Sequence, residues 1–199
     1  NAANVASGWT LSGSTSGVET GRTVSLALTS TGMTAINKSS TVAADGSFST
    51  EFSAGELATL AEKGYSLNYS VSDAAGHTAS GTQAVVLDKT APTVTLELRG
   101  PDGAVATSID QSMVTDGFSF AGQVQGLESG KAVTITFSRS GASDITLTGA
   151  VSNGAFQIPA DGATISKLST GLYTIRASVQ DNALNAATAT LSGVPAALG

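Results

Sequence analysis

The sequence predicts an all-β protein built as two tandem seven-stranded β-sandwiches, the first of them lacking its opening strand. Three observations carry this. Apolar and polar residues alternate with a period of two, as in half-buried strands. Gly-rich turns separate the alternating runs at short spacing, the pattern of a sandwich. The chain also contains one unit twice. WTLSGSTSGVETGRTVSLAL (residues 9–28) lies over FSFAGQVQGLESGKAVTITF (118–137) without a gap, at an offset of 109. Gly13/Gly122, Gly17/Gly126, Glu19/Glu128, Gly21/Gly130 and Val24/Val133 are identical. YSLNYSVSDAAGHTAS (65–80) then lies over YTIRASVQDNALNAAT (173–188) at an offset of 108, with Tyr65/Tyr173, Ser70/Ser178, Val71/Val179 and Asp73/Asp181 identical. Two long matches in the same order identify a duplication.

In the first copy, Trp9, Leu11 and Gly13 alternate with polar residues, as do Val24, Leu26 and Leu28, and then Phe48, Thr50 and Phe52. The longest run is Tyr65, Leu67, Tyr69 and Val71, against Ser66, Asn68, Ser70 and Ser72. Asp45-Gly46 is a tight hairpin signal, and Asn153-Gly154 takes its place in the second copy. GELATLAEKG (55–64) is the one helix-like piece. The second copy divides into strands over 93–99, 118–124, 132–138, 145–151, 155–158, 172–180 and 186–192. Only eight residues precede Trp9. The counterpart of the strand over 93–99 is therefore absent from the first copy, and its sheet edge is expected to be open. The joint is LDKTAPTVTL (87–96), where Pro92 fixes its own φ and biases Ala91 towards an extended conformation. The expected division is 1–88 and 89–199, with Trp9, Val24, Leu26, Tyr65, Leu67 and Val71 buried in the first core.

Composition narrows the function classes. A net charge of −6 argues against nucleic acid and anionic membrane surfaces and is compatible with cations. The chain has no cysteine, so thiol chemistry is not available. No run of 18 apolar residues exists to span a membrane as a helix. NAANVASG at the start lacks the basic and apolar regions of a signal peptide, so the sequence reads as a fragment or mature segment. No nucleophile–base pair, zinc spacing or phosphate loop is present, which predicts no enzyme activity. His77 stands alone in a loop, and Trp9 matches Phe118 at a strand start, so solvation and core packing are their ordinary roles.

Tyr65 and Tyr173 each open a strand after a Gly, which resembles the tyrosine corner of immunoglobulin-type (Ig-like) sandwiches. SGSTSGVETGRTVSLAL, AADGSFS, YSLNYSVSDAAGHTA and LDKTAPTVTL together resemble the bacterial Ig-like repeats of giant biofilm-associated, type I-secreted surface adhesins. The likeness covers nearly all of residues 5–92 and two blocks of the second copy. It implies secreted, cell-surface stalk modules, stacked on neighbouring repeats of the same chain, with Ca²⁺ at the joints. The second copy departs from the pattern: NALN (182–185) replaces AAGH, and Ala196 stands where the first copy has Asp88.

In an Ig-like topology the loops holding Glu128 and Asp181 share the end at which the chain enters, and Asp88 lies on the entering joint. Converging carboxylates repel and need a counter-charge, and hard oxygen ligands favour Ca²⁺. Asp88, Glu128 and Asp181 are thus the expected metal ligands, the plain alternative being that Glu128 caps a turn and Asp181 makes an Asx-turn. Glu19, Asp45 and Asp73 are the same end pieces in the first copy, and Asp110 is a further candidate facing the joint. Asp102 and Asp116, each followed by Gly, read as turn formers. The alternative function is an adhesive module that recognises a glycan or protein through its end loops, which an exposed aromatic cluster would favour.

Overall fold

A computed structural model describes residues 1–198. Among the described residues the chain is all-β with four short helices, and it forms two compact units, Asn1–Lys89 and the residues from Thr90 onward. Lys89 stays with the first unit because its N–H donates to Glu62 at 2.5 Å and its Nζ to the Leu60 carbonyl at 2.9 Å.

The first unit runs α1 (Ala2–Ser7), β1 (Trp9–Ser14), β2 (Thr23–Thr29), β3 (Ile36–Thr41), β4 (Ser47–Phe52), α2 (Ala54–Ala58), β5 (Lys63–Ser72) and β6 (Thr78–Leu87). β1 and β4 form a two-stranded sheet, and β3-β2-β5-β6 a four-stranded one. Val24, Leu26, Leu28, Val42, Phe52, Leu57, Tyr65 and Leu67 fill the space between them. The helix-like piece expected over 55–64 shrinks to α2, started by a capping box in which Ser53 and Glu56 satisfy each other's backbone N–H, and Lys63 and Gly64 already belong to β5. Lys38 lies 2.8 Å from Glu56 Oε2, and this bond, with those from Ser53, pushes the Glu56 carboxyl down to about 2.

The second unit runs β7 (Thr93–Val94), β8 (Glu97–Arg99), β9 (Val105–Ala106), β10 (Ile109–Asp110), α3 (Gln111–Asp116), β11 (Ser119–Gln125), β12 (Ala132–Ser138), β13 (Ile145–Ala150), β14 (Ala155–Pro159), α4 (Gly162–Ile165), β15 (Gly171–Gln180) and β16 (Ala186–Ala197). One sheet is β10-β16-β15-β12-β13, the other β14-β11-β8-β9, with β7 also on β11. Rings of Phe118, Phe120, Phe137 and Tyr173 meet edge to face through the core, at centroid distances of 5.9, 5.2 and 6.4 Å. The strand expected over 93–99 is split, because Thr95 Oγ1 takes the Gln123 N–H at 2.8 Å and replaces a ladder bond. The last strand runs past 192 to Ala197, carried by pairing with both β15 and β10.

Both tyrosine corners are present, with opposite polarity. The Tyr65 hydroxyl donates to the Ala61 carbonyl at 2.8 Å, whereas the Tyr173 hydroxyl accepts from the Ser169 N–H at 3.1 Å. Of the residues expected in the first core, Val24, Leu26, Tyr65 and Leu67 are buried, but Trp9 and Val71 are only half-buried. The cause is the open edge. In the second unit β11 pairs with β14 on one side and with β7 and β8 on the other. In the first, among the described residues, its counterpart β1 pairs with β4 alone. One equivalence runs further upstream than the sequence suggested: α1, capped by the Asn1 side chain and closed by Gly8 (φ 82°), matches α3, capped by Asp110 and closed by Gly117 (φ 96°).

Candidate functional site

At one end of the second unit, the loop after β11 carries Glu128 and the loop between β15 and β16 carries Asp181. The two loops are tied together: Asn182 Nδ2 donates to Glu128 Oε1 at 2.7 Å. The Asp181 carboxylate is buried, at 3% exposure. Its Oδ1 accepts the Asn185 N–H at 2.8 Å and its Oδ2 the Asn185 side-chain amide at 2.9 Å. Burial pushes its pKa up, but the bonds from Asn185 and the Ala183 backbone outweigh this, and the carboxyl stays ionised below its ordinary range. Asp181 thus makes the local turn that its residue type allows. Leu184 completes the loop at φ 69°, a left-handed conformation that costs a side-chain-bearing residue energy.

The first unit builds the same end with other groups. Glu19 Oε2 accepts the Ala74 N–H at 2.9 Å. Asp73 Oδ1 accepts the His77 N–H at 2.8 Å, and Oδ2 pairs with His77 Nδ1 at 2.8 Å. The bonds from His77 hold the Asp73 carboxyl below its usual range. Arg22 donates to the Ser72 and Asp73 carbonyls at 2.8 and 2.6 Å, so a fixed positive charge already sits in this loop cluster. Asp45 accepts the Ser47 N–H at 2.9 Å within its hairpin turn.

The remaining candidates lie elsewhere. Asp88 is half-buried, just past the end of β6 remote from the Asp73 loop. Asp110 does not face the end that receives the chain, which corrects the expectation. It pairs in register with Ala197, at the far end of β16 from Asp181, and caps α3 by accepting the Met113 N–H at 3.0 Å and the Ser112 hydroxyl at 2.6 Å. Its counterpart Asn1 caps α1 in the same way, so the position needs a capping side chain, not a charge. Asn182 and Arg22 organise the two ends; the sequence marks Arg22 by its match to Lys131 in the second copy and Asn182 by the change from AAGH to NALN, without showing what either side chain holds. Among the described residues, no three His, Cys, Asp or Glu side chains gather to hold a metal ion. In each loop cluster the acidic groups accept protein hydrogen bonds, and Arg22 supplies counter-charge in the first.

No protein-family model matches the chain, and no curated protein sequence does. Solved structures do. The chain is similar to a tetra-tandem repeat in the extending region of a large adhesion protein, at 25% identity and TM-score 0.42, over 96% of this chain and 47% of that one. A second belongs to a 1.5-MDa bacterial ice-binding adhesin studied for host cell surface retention, at 18% identity and TM-score 0.43, over 100% and 60% of the two chains. A third belongs to a Ca²⁺-stabilised adhesin that helps an Antarctic bacterium reach out and bind ice, at 22% identity and TM-score 0.46, over 100% and 46%. The chain spans about half the length of the solved structures it matches.

Proposed function

We propose that this chain is a pair of extender modules from the stalk of a bacterial cell-surface adhesin, stacked on neighbouring repeats of the same polypeptide. The observation that carries the reading is the placement of the two chain ends in the second unit. Thr93 pairs with Gln125 at the end that holds the Asp181 loop, while β16 runs to Ala197 at the opposite end. A 12-residue strand spans roughly 36 Å at about 3.3 Å per residue. A unit that receives the chain at one end and releases it at the other adds length with every copy. The other reading, an adhesive module with gripping end loops, has less support. Among the described residues, the one aromatic in the set of large exposed apolar side chains is Tyr69, and it lies on β5, not in a loop.

The finer part of the proposal is Ca²⁺ stiffening, with Asp88 on the joint and Glu128 and Asp181 at the end where the second unit receives it. It rests on the sequence resemblance. Extracellular Ca²⁺ modules bind with Kd of about 10⁻⁴–10⁻³ M, so about 1 mM Ca²⁺ adds roughly 1.4 kcal/mol to a site at the tight end of that range. That is small for folding and more consequential for a linker. Small-angle scattering of wild type and Asp88→Ala, each with Ca²⁺ and with chelator, tests it. Only wild type with Ca²⁺ is expected to be stiff. Equal flexibility in all four samples would leave a passive spacer.

A further inference from the structure

β6 is the outer strand of the first unit's four-stranded sheet, and among the described residues no strand pairs with its far side. The second unit, which has its full set of strands, leaves the same side open. There β10 holds β16 only at Ala196 and Ala197. Gly171 pairs with Ala196, and its counterpart Lys63 pairs with Leu87. A strand placed like β10 would therefore meet Leu87 and the residue after it, and would leave 78–86 uncovered.

The ladder shows which backbone groups face outward. Asp73 donates its N–H to the His77 carbonyl at 3.0 Å, which makes 73 and 77 a hydrogen-bonded pair. Bonded and non-bonded pairs alternate along an antiparallel ladder. Ala79, Gly81, Gln83 and Val85 thus bond to β5, while Thr78, Ser80, Thr82, Ala84 and Val86 turn their N–H and C=O groups to the open side. The Ala84 carbonyl there accepts the Gln83 side-chain amide at 3.2 Å, a stand-in for a neighbouring strand.

Exposed edges are ordinarily defended by shortness, inward charge, proline or a bulge. β1, β3, β4, β7, β9, β10, β13 and β14 each run 6 residues or fewer. β3 also turns Lys38 inward onto Glu56. β16 is long, but its register slips between Tyr173 and Ile175 and it carries Pro195. β6 has none of these devices: its 10 residues keep unbroken register with β5 and include no charge and no proline. Val86, on its solvent face, is 73% exposed.

We propose that this edge pairs with β6 of a second copy of the chain, antiparallel about a twofold axis at Thr82. The strand is complementary to itself in that register. Ser80 meets Ala84 of the other copy and Thr78 meets Val86, so every outward N–H and C=O from 78 to 86 gains a partner. On the inner face Gly81 meets Gln83 and Ala79 meets Val85. A chain of net charge −6 thus meets itself along an uncharged strand. One such contact is small and weak. Where modules recur along a stalk the contact recurs too, and stalks lying side by side are held by avidity. That last step alone rests on the extender reading.

Sedimentation of the whole chain tests the pairing. Wild type is expected to dimerise with a Kd tighter than about 1 mM. Thr82→Lys, which sets like charges against each other on the axis, and Thr82→Pro, which removes an outward N–H, are each expected to weaken the dimer by about tenfold or more. Neither removes a bond to β5, and the fluorescence of Trp9, the only tryptophan, checks that the first unit still folds. The chain has no cysteine, so single cysteines report proximity. A short thiol cross-linker is expected to join Thr82→Cys chains and not Ser25→Cys chains, whose thiols would lie five strand spacings apart, about 24 Å. A monomer at about 1 mM, a dimer that both Thr82 variants leave intact, or equal cross-linking at 25 and 82 overturns the proposal. The scattering comparison of Ca²⁺ stiffening is made on dilute monomer, so the two readings fail separately.

Discussion

The loop at 73–77 in the first unit and its counterpart at 181–185 in the second share their aspartate and their middle alanine, and little else. Both aspartates accept the N–H of the residue four positions on. Where one loop has Gly76 at φ 88°, the other has Leu184 at φ 69°. Where one has His77, with its side chain 84% exposed, the other has the buried Asn185. The glutamate of the preceding loop reaches a backbone N–H in one case and the Asn182 amide in the other. The turn geometry is therefore carried by the aspartate, and the rest of the loop decides how much of it is taken out of water. The second unit has moved the same turn indoors.

The largest test of that contrast is Asp181→Ala. It strands the Asn185 N–H and side-chain amide in a buried site and is expected to destabilise the second unit by about 3 kcal/mol. Asp73→Ala, with water at hand, should cost much less. Denaturant unfolding read by circular dichroism, with Trp9 marking the first unit, separates the two. Equal losses would mean that burial is not what distinguishes the loops.

Next in size is Gly122→Ala against Gly13→Ala. A Cβ at Gly122 runs into the Thr95 backbone and the Phe156 ring, while at Gly13 its nearest neighbours are atoms of the Phe48 side chain. The first should cost about 2 kcal/mol and the second about 1 kcal/mol, a ring yielding more easily than a paired strand. Smaller again is Leu184→Gly, which is expected to stabilise the second unit by about 1 kcal/mol by relieving its left-handed conformation. Gly76→Leu should lose a similar amount in the first.

The smallest effect is that of pH. Asp73, Asp181 and Glu56 all have lowered folded-state pKa values, so each contributes stability that is fully present above its unfolded value, near 4. That contribution is lost as pH falls through the folded value, which for Glu56 is about 2. Lys38→Met should flatten the part of the acid-unfolding curve due to Glu56 in the first unit and leave the second unit's curve unchanged.

Much of this architecture was legible in the sequence, because each half-buried strand repeats every two residues and the duplication let one copy check the other. β3 escaped notice since INKSST lies at a sheet edge and has little apolar content. The match of α1 to α3 escaped because six-residue helices show no periodicity and only Val5/Val114 and Gly8/Gly117 are identical. The candidate site was harder. An acidic residue looks the same on paper whether it holds a cation, caps a helix or closes a turn. Asp110 caps and Asp181 closes, and only the positions of Met113 and Asn185 distinguish these uses.

The short pairing of β10 with β16 is parallel, with Ile109 opposite Ala196 and Asp110 opposite Ala197. Under tension along the strands, such a pairing is loaded in shear, so its bonds must give way together and not one after another. Survival under a pull is governed by the rate of crossing that barrier, not by equilibrium stability. Among the described residues, the first unit has no parallel pairing. If the chain is stretched from its two ends in a single-molecule experiment, the first unit is expected to give way at low force and the second to hold. The β10–β16 pair would then be the clasp that sets the second unit's resistance to a pull along its strands.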